Sequence, residues 1–287
     1  ELKQLNNNIE IIPALCTITN YSQLRKIISN HKIHTIYHAA AYKHVPMVEM
    51  NIVSGVYNNV VGTYNVAKVA DELNVKSMVL ISTDKAVRPT NIMGATKRVA
   101  EKLIQSKSID SNVKYMAVRF GNVIGSSGSV IPTFQEQIRN GGPVTITNPK
   151  MQRYFMSISE AAQLILQAGA MGSGGEVYVL DMGKPVNIKD IAYELIRLSG
   201  LEPEKDIYIE YIGSRPGEKL YEELQTNDEN ILDTDHEKIF MMKNENGNNW
   251  DHLLGKVDEV TSSAKLYDIN KVMDTQIKSL GEVLGEA

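Results

Sequence analysis

The amino-acid sequence predicts an α/β protein built on a doubly wound, mostly parallel sheet. Short apolar runs alternate with amphipathic stretches whose apolar residues recur at three- and four-residue steps, the pattern of βαβ winding. Composition agrees: over 287 residues, 43% hydrophobic and 22% charged with 20 Gly and 9 Pro is a globular balance that excludes disorder and fibrous repeats.

Taken in order, Ile9 to Leu15 reads as a strand, Tyr21 to Asn30 as a helix and Thr35 to Ala41 as a buried strand. Asn51 to Leu73 reads as one long helix, because its apolar residues keep helical spacing throughout. Ser77 to Ile81 is a strand, Ile92 to Lys107 a helix and Lys114 to Phe120 a strand. After Gly121 the texture changes. Gly125, Gly128, Gly141, Gly142, Pro143 and Pro149 break the chain into short pieces, as expected of loops over a ligand. Regular segments return as a helix over Ser159 to Met171, a strand over Glu176 to Leu180, a helix over Ile188 to Leu198 and a strand over Ile207 to Ile212. The polar tail after Thr226 carries an amphipathic helix near Ile269 to Leu284 and no chemical motif.

A net charge of −4 argues against a general nucleic-acid binder, since such domains carry a basic excess. The single cysteine, Cys16, excludes an internal disulfide framework and fits a reducing, cytoplasmic setting. No apolar run approaches the length of about 18 residues that spans a bilayer. The six histidines show no zinc-ligand spacing with carboxylates, so no metal site is expected. The chain opens Glu1-Leu2-Lys3-Gln4 without Met, and no strand, Gly-rich turn and helix precedes the first strand. A dinucleotide-binding sheet normally begins with that unit. The expectation is therefore that a first βαβ unit lies outside this chain.

The densest chemistry is Ser82-Thr83-Asp84-Lys85, a run of hydroxyls, carboxylate and amine where a buried strand ends. In open α/β sheets the carboxyl ends of strands border the ligand crevice. A turn at Pro89 then leads into the helix that carries Met93 and Lys97. The same Ser, Thr and Asp could instead serve only as helix caps.

This stretch resembles the active site of extended short-chain dehydrogenase/reductases, where Tyr-x-x-x-Lys opens a helix; here Met93 holds the tyrosine position before Lys97. The Thr83-Asp84-Lys85 triplet is similar to that of nucleotide-sugar 4,6-dehydratases of the polysaccharide-biosynthesis (CapD-like) family. Met in place of Tyr is similar to the long, membrane-anchored branch acting on UDP-N-acetylglucosamine. Further matching pieces follow in family order. They are His38 to Pro46, Asn58 to Thr63, Arg119 to Val123, Ser129 to Pro132, Gln152 to Met156 and Arg215 to Leu220.

The resemblance implies an NAD(P)-binding Rossmann-like domain over residues 1–125 and 157–182, and a smaller nucleotide-sugar domain over 126–156 and 183–287. It implies NAD as cofactor, a UDP-N-acetylhexosamine substrate, a homodimer or higher homo-oligomer, and membrane attachment only through a segment outside this chain. In the implied reaction C4 is oxidised, C5 loses a proton, C6 loses hydroxide and hydride returns to C6. Asp84 would be the acid at C6 and Lys85 the base at C5, its amine depressed by burial beside Lys97 and the cationic nicotinamide. Thr83 would receive the C4 hydroxyl proton, because a Met93 thioether cannot relay one. Thr17, Ala39, Ala40, Ala41, Lys43, Asn58 and Lys97 would face the cofactor. Thr17 stands where the family shows an aspartate. His44, Asn59, Asn122, Ser129, Pro132, Arg153, Arg215 and Glu218 would face the substrate, the arginines as a bidentate clamp on the diphosphate. Other readings stay open at this level: His44 as a structural residue, the Arg215 to Glu218 turn as a cap, a sugar epimerase, or an inactive UDP-sugar-binding fragment.

Overall fold

The computed structural model describes residues 9–126, 128–226 and 231–242. A six-stranded sheet organises them. In chain order its strands are β1 (Thr35–His38), β2 (Ser77–Ile81), β3 (Lys114–Arg119), β8 (Val177–Leu180), β11 (Ile231–Asp233) and β12 (Ile239–Met242), arranged spatially as β1-β2-β3-β8-β12-β11. The first four run parallel, whereas β12 lies antiparallel to β8 and β11 antiparallel to β12.

Helices cover both faces, so the sheet is doubly wound as the alternation predicts. On one face α1 (Tyr21–Ser29), α4 (Gly62–Glu72) and α5 (Ile92–Lys107) pack through Leu24, Val66, Ala70, Val99 and Leu103 onto Leu80, Tyr115 and Ala117. On the other, α7 (Ile158–Met171) packs Ala161, Leu164 and Ala168 against Val79, Met116 and Tyr178. The central strands are buried on both sides, which is why β2 and β3 read as continuous apolar runs. Each fully buried aliphatic side chain in these layers contributes roughly 1.5–3 kcal/mol of transfer free energy. A separate apolar cluster joins Phe134 and Ile138 of α6 (Val130–Arg139) to Ile188, Ala192 and Ile196 of α8 (Ile188–Leu198). It also takes in Val144 and Ile146 of β5 (Val144–Ile146), which pairs with β10 (Ile209–Tyr211).

Several expected elements differ. The Ile9 to Leu15 run is irregular, with Leu15 98% exposed. Pro13 removes a ladder donor there, and no described strand lies beside it. The strand expected over Thr35 to Ala41 ends at His38, and Ala39 and Ala40 are exposed rather than core, because β1 is an edge strand. The single helix expected over Asn51 to Leu73 is α3 (Ile52–Val56), a π-helical turn (Tyr57–Val61) and α4. Gly62 N–H reaches back five residues to Tyr57 O, a widening that leaves hydrophobic spacing legible as helix. The strand over Ile207 to Ile212 shortens to β10. The loop region after Gly121 also holds α6, which starts after Ser129, and paired short strands β4 (Asn122–Val123) with β7 (Phe155–Met156) and β6 (Gln152–Arg153) with β9 (Val186–Asn187). The helix expected near Ile269 to Leu284 lies outside the described residues.

Candidate active site

Parallel strands deliver their carboxyl ends to one edge of the sheet, and three of them converge here. The residues just beyond β1, β2 and β3 line a cavity of about 420 Å³: Ala39, Ala41 and Lys43 after β1, Thr83 and Lys85 after β2, and Phe120 and Asn122 after β3. Met93 and Lys97 of α5 form its inner wall, and His44 and Ser129 its rim.

The turn after β2 is held rigidly. Ser82 N–H donates to Val118 O (2.8 Å) and Asp84 N–H to Phe120 O (3.1 Å), extending the β2–β3 ladder past the strand ends. The Ser82 hydroxyl donates to Glu101, which takes two 2.8 Å bonds from Arg119, and both members of this ion pair are fully buried. A 3-10 turn over Asp84–Ala86, capped by the Thr83 side chain, then places three functional groups together. Thr83 Oγ1 donates to Asp84 Oδ1 (2.8 Å), and Lys85 Nζ donates to the same oxygen (3.0 Å). The Lys85 amine also reaches Asn122 Oδ1 at 3.4 Å. Asp84 is itself 0% exposed and does not line the cavity, and its Oδ2 has no hydrogen-bond partner among the described residues.

Charge in the site differs from the expectation for Lys85. Burial pulls its pKa down, but the Asp84 and Glu222 carboxylates outweigh burial and the net shift is upward, so the resting amine is an ammonium. It is Lys97 that burial depresses, to about 8, against a partial pull from Glu101. His38, buried behind the cavity, is held neutral by burial at a pKa of about 3. Its Nε2 lies 2.9 Å from Thr63 Oγ1, whose own proton goes to Asn59 O (2.6 Å), so Nε2 carries the hydrogen.

The profile of the polysaccharide biosynthesis protein family matches residues 1–244. The chain belongs to that family. Among its relatives, this polysaccharide biosynthesis protein is 54% identical over 242 residues to the capsular polysaccharide biosynthesis protein CapD of Staphylococcus aureus. The match covers 84% of this chain and 40% of CapD, so the chain spans about two-fifths of that curated relative. The X-ray structure of Pen from Bacillus thuringiensis is similar at a TM-score of 0.78 and 36% identity, over 86% of this chain and 76% of Pen. DesIV, a dTDP-glucose 4,6-dehydratase of Streptomyces venezuelae solved with NAD bound, shares the fold. Its TM-score is 0.65 at 19% identity, over 73% of this chain and 68% of DesIV. These solved neighbours share the Rossmann-like doubly wound fold of this sheet.

Among the residues that sequence reasoning singled out, the structure of this family member brings Ala39, Ala41, Lys43, His44, Thr83, Lys85, Met93, Lys97, Asn122 and Ser129 to one cavity, with Asp84 directly beneath. Others do different work. Asn58 reaches the Ala40 carbonyl at 3.5 Å. Asn59 is spent on the strand-to-helix loop: it accepts from Tyr42 N–H (2.8 Å) and donates to Tyr42 O and Thr96 Oγ1 (3.0 Å each), so it shapes the wall without facing the cavity. Thr17 is bonded to Thr19, Ala40 is exposed, and Pro132 sits in the first turn of α6, all three outside the cavity lining. Arg153 is buried, donating to Gln152 O (2.7 Å) and Leu220 O (3.2 Å). Arg215 is exposed, and Glu218 accepts from its backbone N–H (2.9 Å) within a turn that no described helix follows, so neither the clamp nor the cap is formed there.

Sequence reasoning missed Glu222. Its buried carboxylate lies 3.6 Å from Lys85 Nζ and 3.7 Å from Arg153 Nη2. It arrives on a segment that straps the Thr83–Val87 turn. Lys219 Nζ donates to Val87 O (2.8 Å), Thr90 and Asn91 donate to Gly217 O (3.1 and 3.0 Å), and Glu223 pairs with Arg88. Gly217 has φ +78°, and a Cβ there would sit 2.7 Å from Asn91 Cβ. No local pattern marks Glu222, because every one of these contacts joins residues far apart in sequence.

Gly94 allows α5 to touch the catalytic turn: an added Cβ would lie 2.2 Å from the Lys85 carbonyl oxygen. Backbone cannot swing aside as a flexible side chain does. Gly94→Ala is expected to destabilise the protein by about 1–3 kcal/mol through overpacking. It should also displace Lys85 from Asp84, measured as a lower urea midpoint together with reduced activity.

Proposed function

We propose that the chain carries the acid–base centre of an NAD-dependent UDP-N-acetylglucosamine 4,6-dehydratase, a lyase of bacterial polysaccharide or glycan biosynthesis that yields a UDP-4-keto-6-deoxy-hexosamine. The observation that carries this reading is the Asp84–Lys85 pair, 3.0 Å apart beside the Thr83 hydroxyl at the floor of the cavity. A dehydratase needs an acid and a base close together, since one group must protonate the departing C6 hydroxyl while another takes the C5 proton. The CapD match and the 4,6-dehydratase activity of DesIV support the reading.

The residues fit a nicotinamide cofactor. Ala39 and Ala41 offer small side chains at the strand end, and the Lys97 amine, in the cavity wall, has no hydrogen-bond partner among the described residues and suits ribose hydroxyls. NAD, when bound, supplies the acceptor for the C4 hydride and the donor that returns it at C6.

The chain's own groups move the protons. Thr83 Oγ1 accepts the C4 hydroxyl proton and passes its own to Asp84 Oδ1, leaving Asp84 neutral. That removes one of the two carboxylates holding Lys85 charged, so burial prevails and the partly exposed ammonium sheds a proton to solvent. Neutral Lys85 then takes the C5 proton while Asp84 protonates the C6 hydroxyl, which leaves as water. The resting ion pair is thereby restored. Lys85 returns its proton to C5, and solvent recharges the amine.

A 4-epimerase on this scaffold needs a proton-exchanging side chain where Met93 stands, and it has no use for an acid–base pair at C6 and C5. Incubation of the protein with UDP-N-acetylglucosamine and NAD+, followed by NMR of the product, tests the reading. A 4-keto-6-deoxy sugar, with its C5 configuration read directly, is the expected result. A 4-epimer of unchanged mass would replace the dehydratase by an epimerase. Calorimetric binding of UDP without turnover or NAD+ binding would reduce the chain to a nucleotide-sugar-binding fragment.

A further inference from the structure

We propose that Glu222 is a positioning residue that sets the basicity of Lys85, acting as the fixed counter-charge to its ammonium. The proposal rests on the dehydratase reading for its consequence in turnover, whereas the state of the amine follows from geometry alone.

Two carboxylates from different parts of the chain meet Lys85 Nζ. Asp84 comes from the same 3-10 turn at 3.0 Å, and Glu222 comes from the strap at 3.6 Å, an ion pair too long to be a hydrogen bond. The two are not equivalent. Asp84 shares its Oδ1 with a hydroxyl that faces the cavity, so it can exchange a proton with a bound sugar. Glu222 does not line the cavity, its side chain is only 4% exposed, and the oxygen that faces Lys85, Oε1, also lies 3.7 Å from Arg153, so it has no hydroxyl path to a bound sugar as Asp84 has. Glu222 Oε2 has no hydrogen-bond partner among the described residues, an expensive vacancy for a buried carboxylate. Once Asp84 is neutral, that oxygen and Oε1 are the remaining acceptors of full charge for the ammonium that forms as Lys85 takes the C5 proton. The other groups near the amine are Asn122, which is uncharged at 3.4 Å, and Arg153, which shares Glu222 Oε1 and opposes the carboxylates. Lys43, His44 and Lys97 line the same cavity and add positive charge or none. Among the described residues Glu222 is therefore the carboxylate beside this amine that has no part in the proton path.

Trace acetylation of the ligand-free protein with acetic anhydride, quantified by mass spectrometry of the Lys85 peptide against exposed Lys184, reads the amine directly. Glu222→Gln keeps the shape and removes the charge. It is expected to lower the pH midpoint of Lys85 labelling by about one unit, giving about tenfold faster labelling below that midpoint. Glu223→Gln, which loses only the surface pairing with Arg88 and Lys219, should leave the midpoint in place. A higher plateau at an unmoved midpoint would mean altered access alone and would overturn the proposal, as would equal shifts in both variants. Should Glu222→Gln fail to fold, Arg153→Met decides. Removing the opposing cation must raise the midpoint, and an unchanged or lower value overturns the idea. In an active enzyme Glu222→Gln should carry a pH–rate profile shifted to lower pH with little change in KM. If the wild-type protein makes no keto product, the dehydratase reading fails while the labelling result stands by itself.

Discussion

Lys85→Met is expected to lower dehydration about 10²–10⁴-fold, the range that a positioned general base supplies. Methionine approximates the volume of the lysine stem and removes the amine, so the cavity keeps its shape but loses the group proposed to take the C5 proton. The signature is chemical as well as quantitative. In deuterated buffer the wild-type enzyme should wash solvent deuterium into C5 of the product, and the variant should show neither product nor exchange. Oxidation at C4 should persist in part, seen as slow reduction of NAD+ without keto-deoxy product, because Thr83 and Lys97 are untouched. Exchange at C5 at the wild-type rate would assign the base elsewhere and remove the foundation of the acid–base reading. Loss of the ammonium also removes the cation that Asp84 and Glu222 share, so the variant should be less stable, read as a lower urea midpoint.

Glu101→Gln is expected to carry the largest stability penalty, about 3–5 kcal/mol, as for one partner lost from a buried ion pair. Arg119 and Glu101 are both 0% exposed and bonded twice at 2.8 Å, so the amide leaves a guanidinium with no water to solvate it. Urea denaturation should show the lower midpoint. The double variant Glu101→Gln, Arg119→Met should recover much of the loss, because an apolar side chain of similar length needs no counter-ion. A penalty below about 1 kcal/mol in the single variant would show that the pair is not what fixes β3 to α5. The change should reach the catalytic turn too, since the Ser82 hydroxyl loses its charged acceptor. It should also lower the Lys97 pKa below about 8, because Glu101 is the group that pulls it upward against burial.

The catalytic turn was legible in the sequence because its residues are neighbours there. Thr83, Asp84 and Lys85 are consecutive at a strand end, and Met93 and Lys97 lie one helical turn apart, so spacing alone places them on one wall. The βα alternation was legible for a similar reason, since burial on both faces writes β2 and β3 as apolar runs. Three things were not. The π-helical turn at Tyr57–Val61 keeps helical spacing while rotating Asn59 toward the loop after β1, so an asparagine expected to meet substrate braces backbone instead. The apolar run from Ile9 to Leu15 has strand composition, yet strandedness depends on a neighbour and on donors that Pro13 lacks. The charge of Lys85 was misjudged because Glu222, its second carboxylate, approaches only through tertiary structure.

The antiparallel β12 has a consequence for how this protein can be divided. Residues 239–242 close the sheet beside β8, and the Met242 sulfur lies 3.6 Å from the Arg119 guanidinium, so a late stretch of chain roofs the ion pair beneath the catalytic turn. The strap that precedes it grips that same turn from the other side. The two halves of the fold are thus interlaced rather than sequentially appended. Recombination that exchanged residues 183–242 of one relative for those of another would carry away the roof of the first half's own core. Diversification of substrate choice on this scaffold should therefore proceed by point changes around the cavity, with the chain inherited as one piece.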